Sequence, residues 1–330
     1  MIKNSRYHTS IIITYRCNAR CNMCNVWENP SKPSEEIGID VLRKLPNMFF
    51  TNITGGEPFV RNDLPEIVNI LQQKTKRIVI STNGYFTEKI ISLCKMFPDI
   101  GIRISIEGLP KTNDNIRAIP DGFDRGFRTL LTLREMGIKD IGFGITVQDY
   151  NFKDLIHLYS LSEALRYEFA TATLHNSHYF HKWDNIINNK TEITKEFEKL
   201  INHLIRSKHV KNWFRAYYNH GLINYIKGLP RLLPCEMGQN GFFVDPWGDV
   251  LACNGMDQKQ VMGNLYDQSW EEIWNGKRAE EIRQQVKYCK KNCWMIGSVA
   301  PAIWNHPLLP IKWVIEQKLS VLLGQNYQFN

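Results

Sequence analysis

Cys17-Asn18-Ala19-Arg20-Cys21-Asn22-Met23-Cys24 puts three thiols into eight residues, spaced four and then three apart. The apolar run 10–14 just before it reads as a strand, so the thiols leave the end of that strand on a loop. Soft metals prefer thiolate ligands, and three on one short loop make a partial cage. Iron–sulfur clusters are normally held by four cysteines, so three leave one iron open to another ligand. A structural zinc site is the competing reading. Zinc cages usually close with a fourth ligand, often from a second paired arm, and the neighbouring sequence supplies no fourth thiol or histidine.

Outward from this loop the chain alternates. Strand-like runs occur at 10–14, 49–54, 77–81, 101–106, 142–147 and 169–173, with helix-like segments at 39–45, 64–74, 88–97, 123–136 and 153–165 between them. Strand–helix alternation argues for a parallel sheet with helices outside it. Six units predict an α/β fold, a partial (β/α)6 version of the eight-fold TIM-like barrel, with its site at the C-terminal strand ends. Turn motifs stand there: Thr54-Gly55-Gly56-Glu57-Pro58 after the second strand, Ser81-Thr82-Asn83-Gly84 after the third, and Ser105-Ile106-Glu107-Gly108 after the fourth, with Asp114 and Arg117 downstream. Paired glycines let a backbone approach a ligand closely, and Glu57 offers a carboxylate to an ammonium group. Singly each motif is ordinary turn chemistry. Together with the thiol loop they read as one site.

The chain of 330 residues is long enough for two domains. Its 43% hydrophobic and 22% charged residues are those of a globular protein. The net charge of +8 suits an anionic substrate or surface, but no basic block with interleaved aromatics points to nucleic acid. Residues 1–6 lack a signal-peptide apolar region and no run of 18 apolar residues occurs. A cytoplasmic, reducing location follows as the expectation, and there cysteine clusters more often mean metal than disulfide.

The other cysteines divide into a late set, Cys235, Cys253, Cys289 and Cys293, and a lone Cys94 within an apolar helix-like run, read as core. The late set brackets a predicted hairpin over 241–253 with a Pro246-Trp247-Gly248-Asp249 turn. Four thiols close either a zinc site or an iron–sulfur cluster. His175, His178 and His181 follow the sixth strand three apart, and are candidates for substrate binding or proton transfer. Residues 191–227 read as one helix with Ile193, Phe197, Leu200, Ile201, Leu204 and Ile205 on a core face. From Ile311, residues Val314, Ile315, Leu319, Leu322 and Leu323 share the apolar face of an amphipathic helix, which either packs on its own domain or contacts a membrane surface or lipid-linked substrate.

The thiol loop and the Gly-Gly-Glu-Pro segment resemble the radical S-adenosylmethionine (radical SAM) enzymes. The resemblance implies that Cys17, Cys21 and Cys24 ligate a [4Fe–4S] cluster and that Gly55, Gly56 and Glu57 hold the SAM amino group. It also implies that Ser81 and Asn83 line the SAM side, that Ser105 and Glu107 lie near its ribose, and that Arg117 pairs its carboxylate. The residue before the third cysteine is often aromatic in that family and is Met23 here, so the adenine contact falls to Met23 or Trp27. The late segment resembles the SPASM extension in its smaller twitch form, which implies a small α+β domain with one auxiliary [4Fe–4S] cluster on Cys235, Cys253, Cys289 and Cys293. The expected division is a core over 1–215, an auxiliary-cluster domain over 216–300 and a tail over 301–330. The implied activity is reductive cleavage of SAM to a 5′-deoxyadenosyl radical that abstracts hydrogen, with electrons from a flavodoxin- or ferredoxin-type reductant. The first expectation for the substrate is a small polar molecule, sugar- or cyclitol-like, dehydrogenated with the auxiliary cluster as electron acceptor. Peptide maturation and redox-neutral chemistry such as epimerisation are the alternatives. Only 16 residues precede Cys17, so the N-terminal peptide-recognition domain common in peptide-modifying relatives is not expected in this chain.

Overall fold

The computed structural model of the chain describes residues 7–329. Residues 1–6, read above for a signal sequence, lie outside them. The order of elements is β1 His8–Ile12, α1 Ile39–Leu42, β2 Met48–Thr54, α2 Leu64–Gln72, β3 Thr75–Thr82, α3 Thr87–Met96, β4 Gly101–Ser105, α4 Pro110–Arg117, α5 Gly122–Glu135, β5 Ile141–Val147, α6 Leu155–Leu165 and β6 Glu168–Thr173. It continues with α7 Lys190–Arg206, α8 Val210–Ile226, β7 Gly241–Val244, β8 Asp249–Leu251, β9 Val261–Asn264, α9 Trp270–Asn275, α10 Lys277–Lys287, α11 Ile296–Asn305 and α12 Leu308–Leu322.

Strands β1 to β6 pair in parallel in chain order, as an open part of a barrel. Their side chains alternate between faces. One face carries Ile11, Ile53, Ile80, Ile102, Ile104, Phe143 and Ile145, all buried with the helices' apolar residues in one core. The other carries Ser10, Asn52, Ser81, Ser105, Gly144 and Ala172, none of which is fully buried. The interior of this partial barrel is therefore lined mostly by polar or small residues, with Ile12 and Val79 as buried apolar exceptions, and its outside is greasy.

The sheet does not stop at β6. The observed order is β6-β5-β4-β3-β2-β1-β7-β8-β9, with β7 parallel to β1 and β8 and β9 antiparallel beyond it. The predicted hairpin is thus present, but it extends the barrel sheet. The expected boundary between residues 215 and 216 falls inside α8. The single helix expected over 191–227 is two, broken at residues 207–209. There the Ser207 hydroxyl accepts from His209 N at 3.2 Å and Asn212 Nδ2 at 3.0 Å, a local bond that competes with the helix ladder. The expected apolar face of α7 is buried as read. Cys94 is fully buried, and burial pushes its thiol up to about 12. In the tail, α12 buries Pro310 and Val314, while Leu308, Ile311, Ile315, Leu319 and Leu322 are exposed. Among the described residues no helix is long and apolar enough to cross a membrane.

Candidate functional site

The thiol loop hangs from three supports. Gly56 N donates to Thr14 O at 2.8 Å and Glu57 N to Arg16 O at 2.9 Å, so the exits of β1 and β2 run side by side up to Cys17. A Cβ on Gly55 would lie 2.5 Å from Thr14 O, and one on Gly56 2.3 Å from Arg16 O. The glycine pair therefore admits a close backbone, as its sequence suggested, and that backbone is the protein's own. Second, Arg20 N and Asn22 N donate to Arg117 O and Ile116 O at 3.1 and 3.0 Å. These are last-turn carbonyls of α4, which have no partner within the helix. Third, Asn25 N donates to Phe180 O at 2.8 Å, from the loop after β6.

Glu57 is fully buried and tied down. Its carboxylate accepts from Phe59 N at 3.1 Å, Thr82 Oγ1 at 2.8 Å and Asn83 N at 2.7 Å. It thus bolts the end of β2 to the end of β3, with three of its acceptor positions taken by the protein. Glu107 accepts from Arg117 Nη1 at 3.0 Å and from Thr146 N at 2.7 Å. Burial pushes both carboxyls up, against the pull of Arg117 and of their N–H donors. Glu107 and Arg117 hence form a buried ion pair through Arg117 Nη1. Arg117 Nε is buried without a hydrogen-bond partner. Ser81 Oγ donates to Asn52 Oδ1 at 2.9 Å, and Asn83 Nδ2 to Asn18 Oδ1 at 2.8 Å. Ser105 lies half-buried on the inner face. Met23 packs with Tyr85 against Ala19, Cys21 and Ile119, and Trp27 Nε1 donates to Cys24 O at 3.0 Å with Arg20 over its ring.

Burial pushes the Cys17 thiol up to about 12 and Cys24 to about 11, and raises Cys21, with Arg117 pulling all three down. A metal cation reverses this balance by taking thiolates directly. Three thiols beside a buried arginine with a spare N–H suit a cluster whose open iron carries an anionic ligand. The late thiols come together from the loop before β7 (Cys235), the end of β8 (Cys253) and the segment after α10 (Cys289 and Cys293). Cys235, Cys289 and Cys293 all lie within electrostatic reach of Cys253, whose thiol burial pushes up to about 12. Gly255 N donates to Cys253 Sγ at 3.2 Å, and a Cβ on Gly255 would stand 3.6 and 3.7 Å from the Cys293 and Cys253 sulfurs. Among the described residues no three His, Cys, Asp or Glu converge tightly enough for a single metal ion.

A cavity of about 180 Å³ joins the two halves. Ser10, Ile12, Asn52 and Thr54 of the barrel interior form one wall, His175, Tyr179 and Phe180 another, and Tyr225, Phe243, Cys253, Cys293 and Met295 the far side. Of the three histidines only His175 lines it. His178 and His181 lie outside, their rings 5.9 Å apart, and His181 packs edge-on against Tyr15 at 5.0 Å. Tyr179 and Asn52 were missed in the sequence. Tyr179 OH donates to Gly55 O at 2.5 Å and sits 3.1 Å from Thr54 Oγ1, linking the loop after β6 to the glycine pair. Asn52 had a signal, a polar residue at an inward position of an apolar strand. The turn residue Trp247 packs with Tyr179 and Cys24 against Tyr15 and Val26, so the late hairpin touches the first thiol loop.

Residues 11–161 match the Radical SAM superfamily, and residues 235–294 match SPASM, an iron–sulfur cluster-binding domain. The Fe-coproporphyrin III synthase of Methanosarcina barkeri is 30% identical over 46% of this chain and 39% of its own. The subtilosin biosynthesis protein AlbA of Bacillus subtilis is 24% identical over 84% of this chain and 61% of its own. The mycofactocin maturase MftC of Mycolicibacterium smegmatis is 26% identical over 79% of this chain and 68% of its own. The chain thus spans about 39% and 61% of the first two relatives. Streptococcus suis SuiB has a similar fold, with a TM-score of 0.63 at 15% identity over 86% of this chain and 72% of its own. The matched domains bring a [4Fe–4S] cluster, SAM and auxiliary iron–sulfur ligation. The chain thus carries a radical SAM domain over residues 11–161, followed toward its C-terminal end by a SPASM domain over residues 235–294.

Proposed function

We propose that this chain is a radical SAM enzyme that modifies a peptide, one side chain of which enters the cavity between the two thiol sets. The observation that carries this reading is the cavity itself. Its volume of about 180 Å³ is that of one side chain, since an apolar cavity of about 150 Å³ holds benzene. Ile12, Phe180, Tyr225, Phe243 and Met295 make much of its wall. A polyol would turn hydroxyls against these groups at about 1–3 kcal/mol for each one left unpaired. The relatives support the same choice: MftC is a maturase, and SuiB is known bound to its precursor peptide SuiA. The sugar- or cyclitol-like substrate expected first gives way to this reading.

In this reading Cys17, Cys21 and Cys24 hold the SAM-binding cluster, and Cys235, Cys253, Cys289 and Cys293 hold the auxiliary one. Bound, cluster and SAM supply one-electron chemistry that abstracts hydrogen from the substrate. Gly55, Gly56, Ser81, Asn83 and Ser105 offer the SAM-facing strand ends, with Met23 and Trp27 near the loop for its base. Glu57 and the Glu107–Arg117 pair are positioning residues that hold those ends in place. Tyr179 fixes the Gly55 carbonyl.

The test is anaerobic turnover with SAM and a chemical reductant, offered short peptides encoded beside the gene and, separately, sugars and cyclitols. Peptide-dependent 5′-deoxyadenosine with a mass change on the peptide is the expected result. Turnover of a cyclitol alone would overturn the peptide reading.

A further inference from the structure

Two residues that line the cavity, Asn52 and His175, each carry one polar atom held in its role by a neighbour and one without a hydrogen bond among the described residues. Ser81 Oγ donates to Asn52 Oδ1 at 2.9 Å, which orients the amide and leaves Asn52 Nδ2 as a donor. His175 Nδ1 lies 3.0 Å from Thr173 O. A carbonyl only accepts, so the proton sits on Nδ1 and Nε2 is the acceptor. Burial lowers the pKa of His175 and keeps the ring neutral, against the pull of that carbonyl. Neither Asn52 Nδ2 nor His175 Nε2 has a hydrogen bond among the described residues, and both residues line the cavity.

The neighbouring polar groups are occupied. Thr54 Oγ1 is with Tyr179 OH, Tyr179 OH is with Gly55 O, Ser298 Oγ is with Met295 O, and the Asn176 amide bonds Asn185 at both ends. The Ser10 hydroxyl rotates to suit, and no neighbour orients the Asn254 side chain, so neither fixes a preference. One fixed donor and one fixed acceptor in an aromatic wall match a hydroxyl, which does both. An ammonium has only donors and a carboxylate only acceptors, so each leaves one wall atom unpaired.

We propose that Asn52 and His175 recognise a hydroxyl on an otherwise apolar substrate side chain, phenolic or aliphatic, and so set which residue of the peptide enters the cavity. This rests on the peptide reading above. A site built to hydrogen-bond a hydroxyl discriminates strongly against the analogue that lacks it, because its own buried polar groups are left unpaired.

The experiment is calorimetric titration of the holoenzyme, with clusters and SAM bound, using p-cresol, toluene and myo-inositol as probes. p-Cresol is expected to bind at least about tenfold tighter than toluene, and myo-inositol weakest of the three. Asn52→Leu and His175→Phe should each bring p-cresol to within about twofold of toluene. Equal binding of p-cresol and toluene by the wild-type protein would overturn the hydroxyl pair while leaving the peptide reading in place. Tightest binding of myo-inositol would overturn the peptide reading itself. Binding of none of the three would overturn the cavity as the recognition site. The wild-type ratio decides these outcomes even where a variant loses its fold.

Discussion

Cys17, Cys21 and Cys24 lie within eight residues of one loop, whereas Cys235, Cys253, Cys289 and Cys293 are drawn from segments spread over 59 residues. The first set is framed by protein: the exits of β1 and β2, the last carbonyls of α4 and the loop after β6 all hold its backbone. The second set frames the protein instead. Its thiols connect the loop before β7, the end of β8 and the segment after α10, and one of them, Cys289, is exposed. A metal at the first set fills a site already built, while one at the second closes long loops of chain and stabilises as a cross-link does.

This contrast is open to direct attack. The largest effect is on chemistry. Replacing Cys17, Cys21 and Cys24 together by Ala should abolish SAM cleavage and take the iron content from about eight to about four per chain. The melting temperature should move by no more than about 4 °C. A collapse of the fold in that variant would break the contrast.

Next comes the frame of the first set. Arg117→Ala leaves the Glu107 carboxylate buried without its partner, at a cost of about 3–5 kcal/mol. Denaturant titration should show that loss, and Arg117→Lys should recover part of it. Cys235→Ala with Cys253→Ala should also remove about four irons. Here, unlike the first set, the loss should be about 3 kcal/mol, with limited proteolysis cutting between residues 227 and 294.

Smaller effects sharpen the picture. Gly56→Ala forces a Cβ to within 2.3 Å of Arg16 O and 2.9 Å of Cys17 Cβ. It should cost about 1–3 kcal/mol and lower iron at the first set alone, read by iron analysis and the cluster's absorbance. The smallest effect is of pH. Glu36 is buried, which works against its charge, yet its bonds to Arg16, Thr14 and Ser31 hold its carboxyl below the ordinary value of 4.5. Its stabilisation is full above pH 4.5 and lost as pH falls through the lower folded value. It anchors the stretch that leads to Cys17. Glu36→Gln should flatten that acid limb of a stability-against-pH curve.

What the sequence discloses follows from the range of each interaction. The thiol loop, the six strands and the late hairpin are set by neighbours along the chain, and they fall within a few residues of where spacing and periodicity put them. The break at 207–209 has no Gly or Pro to announce it, and a serine side chain makes it. Helix α4 was missed because Pro110–Arg117 is mostly polar and its apolar contact, Ile116, stands alone. The structural roles of Glu57 and Glu107 were hidden for a different reason. A carboxylate at a strand end looks like a ligand in sequence, and only the fold shows three donors already around Glu57. The joining of β7 to β1 is likewise long-range, as is the meeting of Asn52, His175 and Cys253 around one cavity.

In the function proposed above, the first thiol set starts the reaction and the second decides what becomes of a peptide side chain lodged between them. The measurement that tests this most directly is paired quantitation, by mass spectrometry, of 5′-deoxyadenosine and modified peptide. It is made on wild-type protein and on the Cys235→Ala, Cys253→Ala variant, below the melting temperature of both. One modified peptide per 5′-deoxyadenosine is expected in the wild type. In the variant 5′-deoxyadenosine should persist while the modified peptide disappears. Unchanged peptide modification in a variant shown to lack the auxiliary iron would contradict the proposed function.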